Sequence, residues 1–193
     1  MARISLPAVE DLSAAEKVQF NRFPSNIARA LLLTQNCTTG YLSLGLSLLH
    51  SRLNAKLREL VILRVAHLSD CCYELERHRP VAKRAGWTDE EIAAIEVGDS
   101  DKMSPTTTAV LTFVEMCVRE VRVPDSVFEG LRNELGDAAV TELVVLIGFF
   151  MMTARVVKNL DIDLEPAIPR PERASTGETD PSKDARVIAT LQF

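Results

Sequence analysis

Residues 55–68, AKLRELVILRVAHL, set Leu57, Leu60, Val61, Ile62, Leu63, Val65 and Ala66 almost all round a helical wheel. A helix with apolar side chains on every face has none to offer solvent, so it must lie at the centre with other elements packed about it. Glu59 and Arg64 are carried inside with it, and a charge taken from water needs a partner.

The neighbouring segments carry helical periods and stop signals that suit such a centre. Ser13 and Glu16 have capping-box spacing, ahead of a short helix that Pro24 ends. Ser25 caps a stretch through Ile27, Ala28, Ala30, Leu31 and Leu32 to about Gln35, and 36–40 reads as a loop. A helix is expected from Tyr41 to about Leu53, weakened at Gly45, and Asn54 is the N-cap of the apolar helix that follows. Ser69 and Asp70 break the chain before a helix from Cys71 to about Ala85, which Gly86 closes. Thr88 with Glu91 opens a short helix ending at Gly98, and Ser104 with Pro105 opens a longer one before Pro124. Two more helices are expected on either side of Gly136, the last running to Leu160.

With helical patterns throughout, no strand pattern and only 5% aromatic residues, the 193-residue chain reads as all-α. A single compact multi-helix domain is expected at 24–165, with an N-terminal arm at 1–23. A tail at 166–193, rich in Pro, Ser, Thr and charge, is expected to be flexible or docked on the surface through 187–193. The run 143–152 is apolar on all sides, and a second subunit is one way to cover it, so a homo-oligomer is expected.

Charge excludes several functions. The net charge is −5 and basic residues alternate with acidic ones, so nucleic acid is not an expected partner. At ten residues, 143–152 is too short to span a bilayer, and the first residues lack a signal-peptide core. No membrane partner is expected, and the location expected is cytoplasmic. Cys37, Cys71, Cys72 and Cys117 are expected to be reduced thiols.

The chemistry gathers at CCYELERH. At 3.6 residues per turn Cys71, Glu74 and His78 fall on one helix face with Leu75 and Ala82, while Glu76, Arg77, Arg79, Lys83 and Arg84 take the other. A buried carboxylate beside an imidazole either works as an acid/base pair or simply forms a helix ion pair. Cys71, at the helix start, gains thiolate character from the macrodipole, and Glu59 joins a proton relay if the two helices pack as a hairpin. His67 would align with Cys71, Glu74 and His78 only on an unbroken helix, and no HExxH motif is present, so no metal is expected. No phosphate loop or GxSxG elbow occurs, and no cofactor is expected.

The succession KLRELVILRVA, CCYELERH and AGWTDEEI, with PSNIARALL before it and ELVVLIGFFMMTARVVKNLDIDLE after it, resembles the carboxymuconolactone decarboxylase and alkylhydroperoxidase D-like superfamily over about 24–165. The resemblance implies an all-helical fold assembled from dimers into trimers or hexamers, with the active site among these helices. In the peroxidase branch a Glu, a CxxC pair and a His form the site. Glu59, Cys71 and His78 match three of these positions, whereas Glu74 stands where the second cysteine would be. That departure favours the decarboxylase side: a cofactor-independent lyase or related acid/base enzyme acting on a small carboxylated lactone or ring acid. His78 is then the acid/base, Glu74 its partner and Glu59 the relay. Arg64 and Tyr73 are the expected substrate-binding residues, Arg64 for a carboxylate. A thiol peroxidase using Cys71 and a non-catalytic oligomeric protein remain the alternatives.

Overall fold

A computed structural model describes residues 2–165, so the expected tail at 166–193 lies outside the described residues. Among these there are eight helices and no strand: α1 (Ala14–Phe20), α2 (Asn26–Leu32), α3 (Cys37–Leu49), α4 (Ala55–Leu68), α5 (Cys72–Arg84), α6 (Asp89–Val97), α7 (Pro105–Glu120) and α8 (Asp125–Leu160). The local signals act as their chemistry dictates. Ser13 with Glu16 and Thr88 with Glu91 form complete capping boxes. Ser25, Asn54 and Ser104 accept the backbone N–H of Ala28, Leu57 and Thr107, meeting donors that a helix start leaves unpaired.

The apolar helix α4 is the hub, packed against α5, α6, α7 and α8. Leu60, Val61, Leu63 and Val65 are fully enclosed, in one cluster with Phe113 of α7 and Leu143, Leu146 and Ile147 of α8. Each such side chain stabilises the fold by about 1.5–3 kcal/mol through burial. A second apolar cluster joins Ile27, Ala30 and Leu31 of α2 to Cys71, Tyr73, Ala154, Val157 and Ile162.

Several boundaries differ from the sequence expectation. The loop expected at 36–40 is instead the first turn of α3, and the buried Thr38 hydroxyl donates to Leu31 O at 2.7 Å, fastening that turn to the end of α2. The same carbonyl also accepts the Thr34 N–H at 2.8 Å, so Leu31 O is shared between the end of α2 and the start of α3. α3 also stops at Leu49, and Leu53 turns into the core on its own. At α5 the break ends one residue later than expected: Asp70 has φ 49°, and Cys71 is the residue before the first helical turn.

Gly136, expected to separate two helices, has φ 82° and ψ 161°, a conformation open almost only to glycine. The helical path breaks there as expected, so α8 is two helical segments, 125–135 and 137–160, that meet at a kink. By length and apolar composition α8 would suffice to cross a bilayer, but half of its most apolar window is buried within this core. Val144, Val145 and Met152 lie on its exposed side.

Past Leu160 the chain reverses. Asp161 adopts φ 47°, and Ile162 N–H bonds back to Val157 O. Residues 161–165 then run back to α2, where Asn26 Nδ2 donates to Asp163 O at 2.9 Å. This return brings the end of the described chain to the candidate site.

Candidate active site

α4 and α5 pack as the hairpin that a Glu59 relay requires. His78 is completely enclosed, with its Nδ1 2.8 Å from Glu59 Oε2 and its Nε2 3.4 Å from Glu74 Oε2. The ring therefore sits between two carboxylates from two helices. On the far side Glu59 Oε1 is 3.6 Å from Arg58 Nε, and the Phe150 ring stands perpendicular to the imidazole at a centroid distance of 5.2 Å.

Burial alone would push His78 toward its neutral form. The charge and hydrogen bond of Glu59, with those of Glu74, outweigh it and raise the pKa from 6.5 to about 9. At neutral pH His78 is thus an imidazolium whose Nδ1–H donates to Glu59. Its other nitrogen adjoins Glu74, and both residues line a pocket.

The pocket walls are Phe23, Ile27, Leu42, Leu46 and Phe149, with Arg77 and the Tyr41–Thr153 pair adding polar groups. Tyr41 Oη and Thr153 Oγ1 are 2.7 Å apart, and the phenol pKa is raised, chiefly by burial. Gly45 lets Phe149 lean on α3: a Cβ there would lie 3.0 Å from the ring. The pocket is partly open to solvent, and its cavity is about 30 Å³, room for roughly two waters.

The sequence-expected residues do not all meet here. Glu59, Glu74 and His78 are brought together. Cys71 is only 1% exposed and belongs to the apolar cluster with Ile27 and Val157, outside the pocket wall. Burial pushes its thiol up to about 11, reversing the thiolate expected from the helix dipole. Its neighbour Cys72 is exposed.

Arg64 is also misplaced by the sequence reading. It leaves α4 on the side away from the pocket, donating to Glu96 O at 2.5 Å and pairing with Glu115 at 3.0 Å. It ties α4 to the ends of α6 and α7. Replacing it by methionine is expected to cost about 2 kcal/mol in urea denaturation, because the buried Glu96 carbonyl and the partly exposed Glu115 lose their shared cation, while leaving pocket ligand affinity unchanged. A large affinity loss at equal stability would return Arg64 to the site.

Arg77, not Arg64, is the arginine that lines the pocket. The wheel put it on the solvent side, yet its long stem folds along the pocket, with the guanidinium over Phe23 at 5.0 Å and near the Tyr73 ring at 5.5 Å. Tyr73 lies outside the pocket wall but close to Arg77, their Oη and Nη1 being 3.5 Å apart. A weak signal for Arg77 was present in its spacing, one turn from Tyr73 and beside His78. Among the described residues no three or more His, Cys, Asp or Glu side chains are arranged to hold a metal.

The carboxymuconolactone decarboxylase family model matches residues 37–116, which include α3 to α6 and most of α7. The uncharacterized protein YdfG of Bacillus subtilis (strain 168) is 27% identical over 100 residues, 50% of this chain and 68% of that protein. The alkylhydroperoxidase AhpD core of a peroxidase-related protein from Ralstonia eutropha JMP134 has a similar fold, with a TM-score of 0.74 and 15% identity over 85% of this chain and 92% of that one. The debrominase Bmp8 is similar at a TM-score of 0.71 and 12% identity, over 84% and 92% of the two chains. At such identities the likeness is one of fold.

Proposed function

From the match of residues 37–116 to the carboxymuconolactone decarboxylase family and the alkylhydroperoxidase AhpD-like fold, we propose a cofactor-independent acid/base enzyme that decarboxylates a small carboxylated lactone or ring acid. The observation that carries this reading is the imidazolium of His78 held between Glu59 and Glu74 at the edge of an apolar-walled pocket.

In the proposed reaction the bond from ring carbon to carboxylate breaks and carbon dioxide leaves. The electron pair passes into the conjugated carbonyl as an enolate. A cation beside the pocket stabilises that charge, and His78 returns a proton to carbon. Glu74 then relays a proton from solvent to the imidazole, while Glu59 keeps Nδ1–H engaged and the ring oriented. The apolar walls strengthen each of these electrostatic interactions by excluding water.

Thiol chemistry has less support. Cys71 is enclosed, protonated at neutral pH and outside the pocket wall, and Glu74 occupies the position from which a resolving sulfur would act. The test is carbon dioxide release from a panel of carboxylated lactones by the wild-type chain and by Cys71→Ser. Release that survives in the serine variant supports the proposal. Peroxide turnover that the same substitution abolishes, with no carbon dioxide from any lactone, would replace it by the peroxidase reading.

A further inference from the structure

Arg77 is already neutralised, and by the chain itself. Its Nη1 donates to Glu165 Oε2 at 2.5 Å, and Tyr73 Oη donates to Glu165 Oε1 at 2.8 Å. The backbone N–H of Asn26 also donates to Oε1. One carboxylate thus collects three donors, from α5 and from the start of α2. Arg77 Nε, buried on the same guanidinium, has no hydrogen-bond partner among the described residues.

The two elements that Glu165 joins are two walls of the pocket. Phe23 and Ile27 flank Asn26 on one side, and Glu74, Arg77 and His78 line the other. With Glu165 in place the cavity accepts about two waters, too few for a ring. Glu165 thus holds the walls together and also occupies the cation that an acidic substrate needs.

We propose that Glu165 is an exchangeable latch: a ligand carboxylate takes its place on Arg77 and Tyr73, and the returning segment 161–165 lifts as the pocket opens. The substrate class is accordingly a monocarboxylate. Its carboxylate replaces one negative charge by another, so the partly buried guanidinium is never left unpaired. A neutral isostere cannot make that exchange without stranding Arg77 or leaving Glu165 in place. A guanidinium binds any carboxylate through charge-assisted N–H donors, so one carboxylate can take the place of another on Arg77.

This inference deepens the acid/base reading, but its test needs no turnover, so the two can fail separately. Benzoate and benzamide are titrated calorimetrically into the wild-type chain, Glu165→Gln and Arg77→Met, each checked for folding by circular dichroism. Arg77→Lys and Glu165→Ala serve if either first variant is unfolded. Benzoate is expected to bind Glu165→Gln at least tenfold more tightly than wild type, since the internal competitor is gone. Benzamide is expected to bind at least tenfold more weakly than benzoate, and Arg77→Met to lose that discrimination. The latch is overturned if Glu165→Gln binds benzoate no better than wild type, or binds benzoate and benzamide alike, or binds neither. In those cases Glu165 only ties down the end of the fold, whatever the carbon dioxide assay shows.

Discussion

His78→Gln is expected to lower carbon dioxide release about 10²–10⁴-fold, the range that a positioned proton donor contributes. Glutamine can hydrogen-bond to Glu59 but cannot deliver a proton to a carbanionic carbon. The loss should fall mainly on kcat, because the carboxylate contact at Arg77 is retained. Removing the imidazolium also leaves Glu59 and Glu74 facing a common space with no cation between them. A melting curve must therefore accompany the kinetics. The wild-type rate should decline as pH rises through about 9, where the imidazolium loses its proton. A folded His78→Gln chain with wild-type turnover would remove His78 from the mechanism.

Glu59→Gln is expected to cost on the order of 3 kcal/mol near neutral pH, since it removes one partner of a fully buried ion pair. The dependence on pH identifies the cause. His78 has its folded pKa raised above the unfolded value of 6.5, so its stabilisation is complete below about pH 6.5 and is lost as pH rises through about 9. A shift of that size in a fully buried group corresponds to roughly 3 kcal/mol. Glu59 contributes the largest raising effects, so the glutamine variant should lose much of this and show a flatter profile. Urea denaturation at pH 6.5 and at pH 9.5 measures both ends. The gap between wild type and variant should narrow at the higher pH, leaving a remainder from the Arg58 contact. An equal gap at both pH values would mean that Glu59 acts by packing alone.

Much of the fold was legible because its signals are local. The caps at Ser13, Ser25, Asn54, Thr88 and Ser104 each involve a residue and a donor three positions on, which spacing alone specifies. The burial of α4 followed from its lack of a polar face. The first turn of α3 was missed because Thr38 is held by Leu31, seven residues away on another helix. Burial of Cys71, Glu74 and His78 on one face of the chain likewise followed from the helical period.

The sequence by itself determined which side chains point inward, because 3.6 residues per turn fixes their angles about each axis. It also placed Glu59 and His78 on consecutive helices that a short break folds together. Only the tertiary structure decided what stands opposite each inward side chain. Arg64 leaves α4 toward α6 and α7, whereas Arg77 reaches the pocket by bending its stem, a choice that a helical wheel does not contain. Cys71 turns to an apolar cluster built partly by α2 and α8, which holds its thiol protonated. Glu165 meets Arg77 across 88 positions because Asp161 reverses the chain at the end of α8. Such meetings depend on how several elements pack at once, and residue spacing carries no record of them.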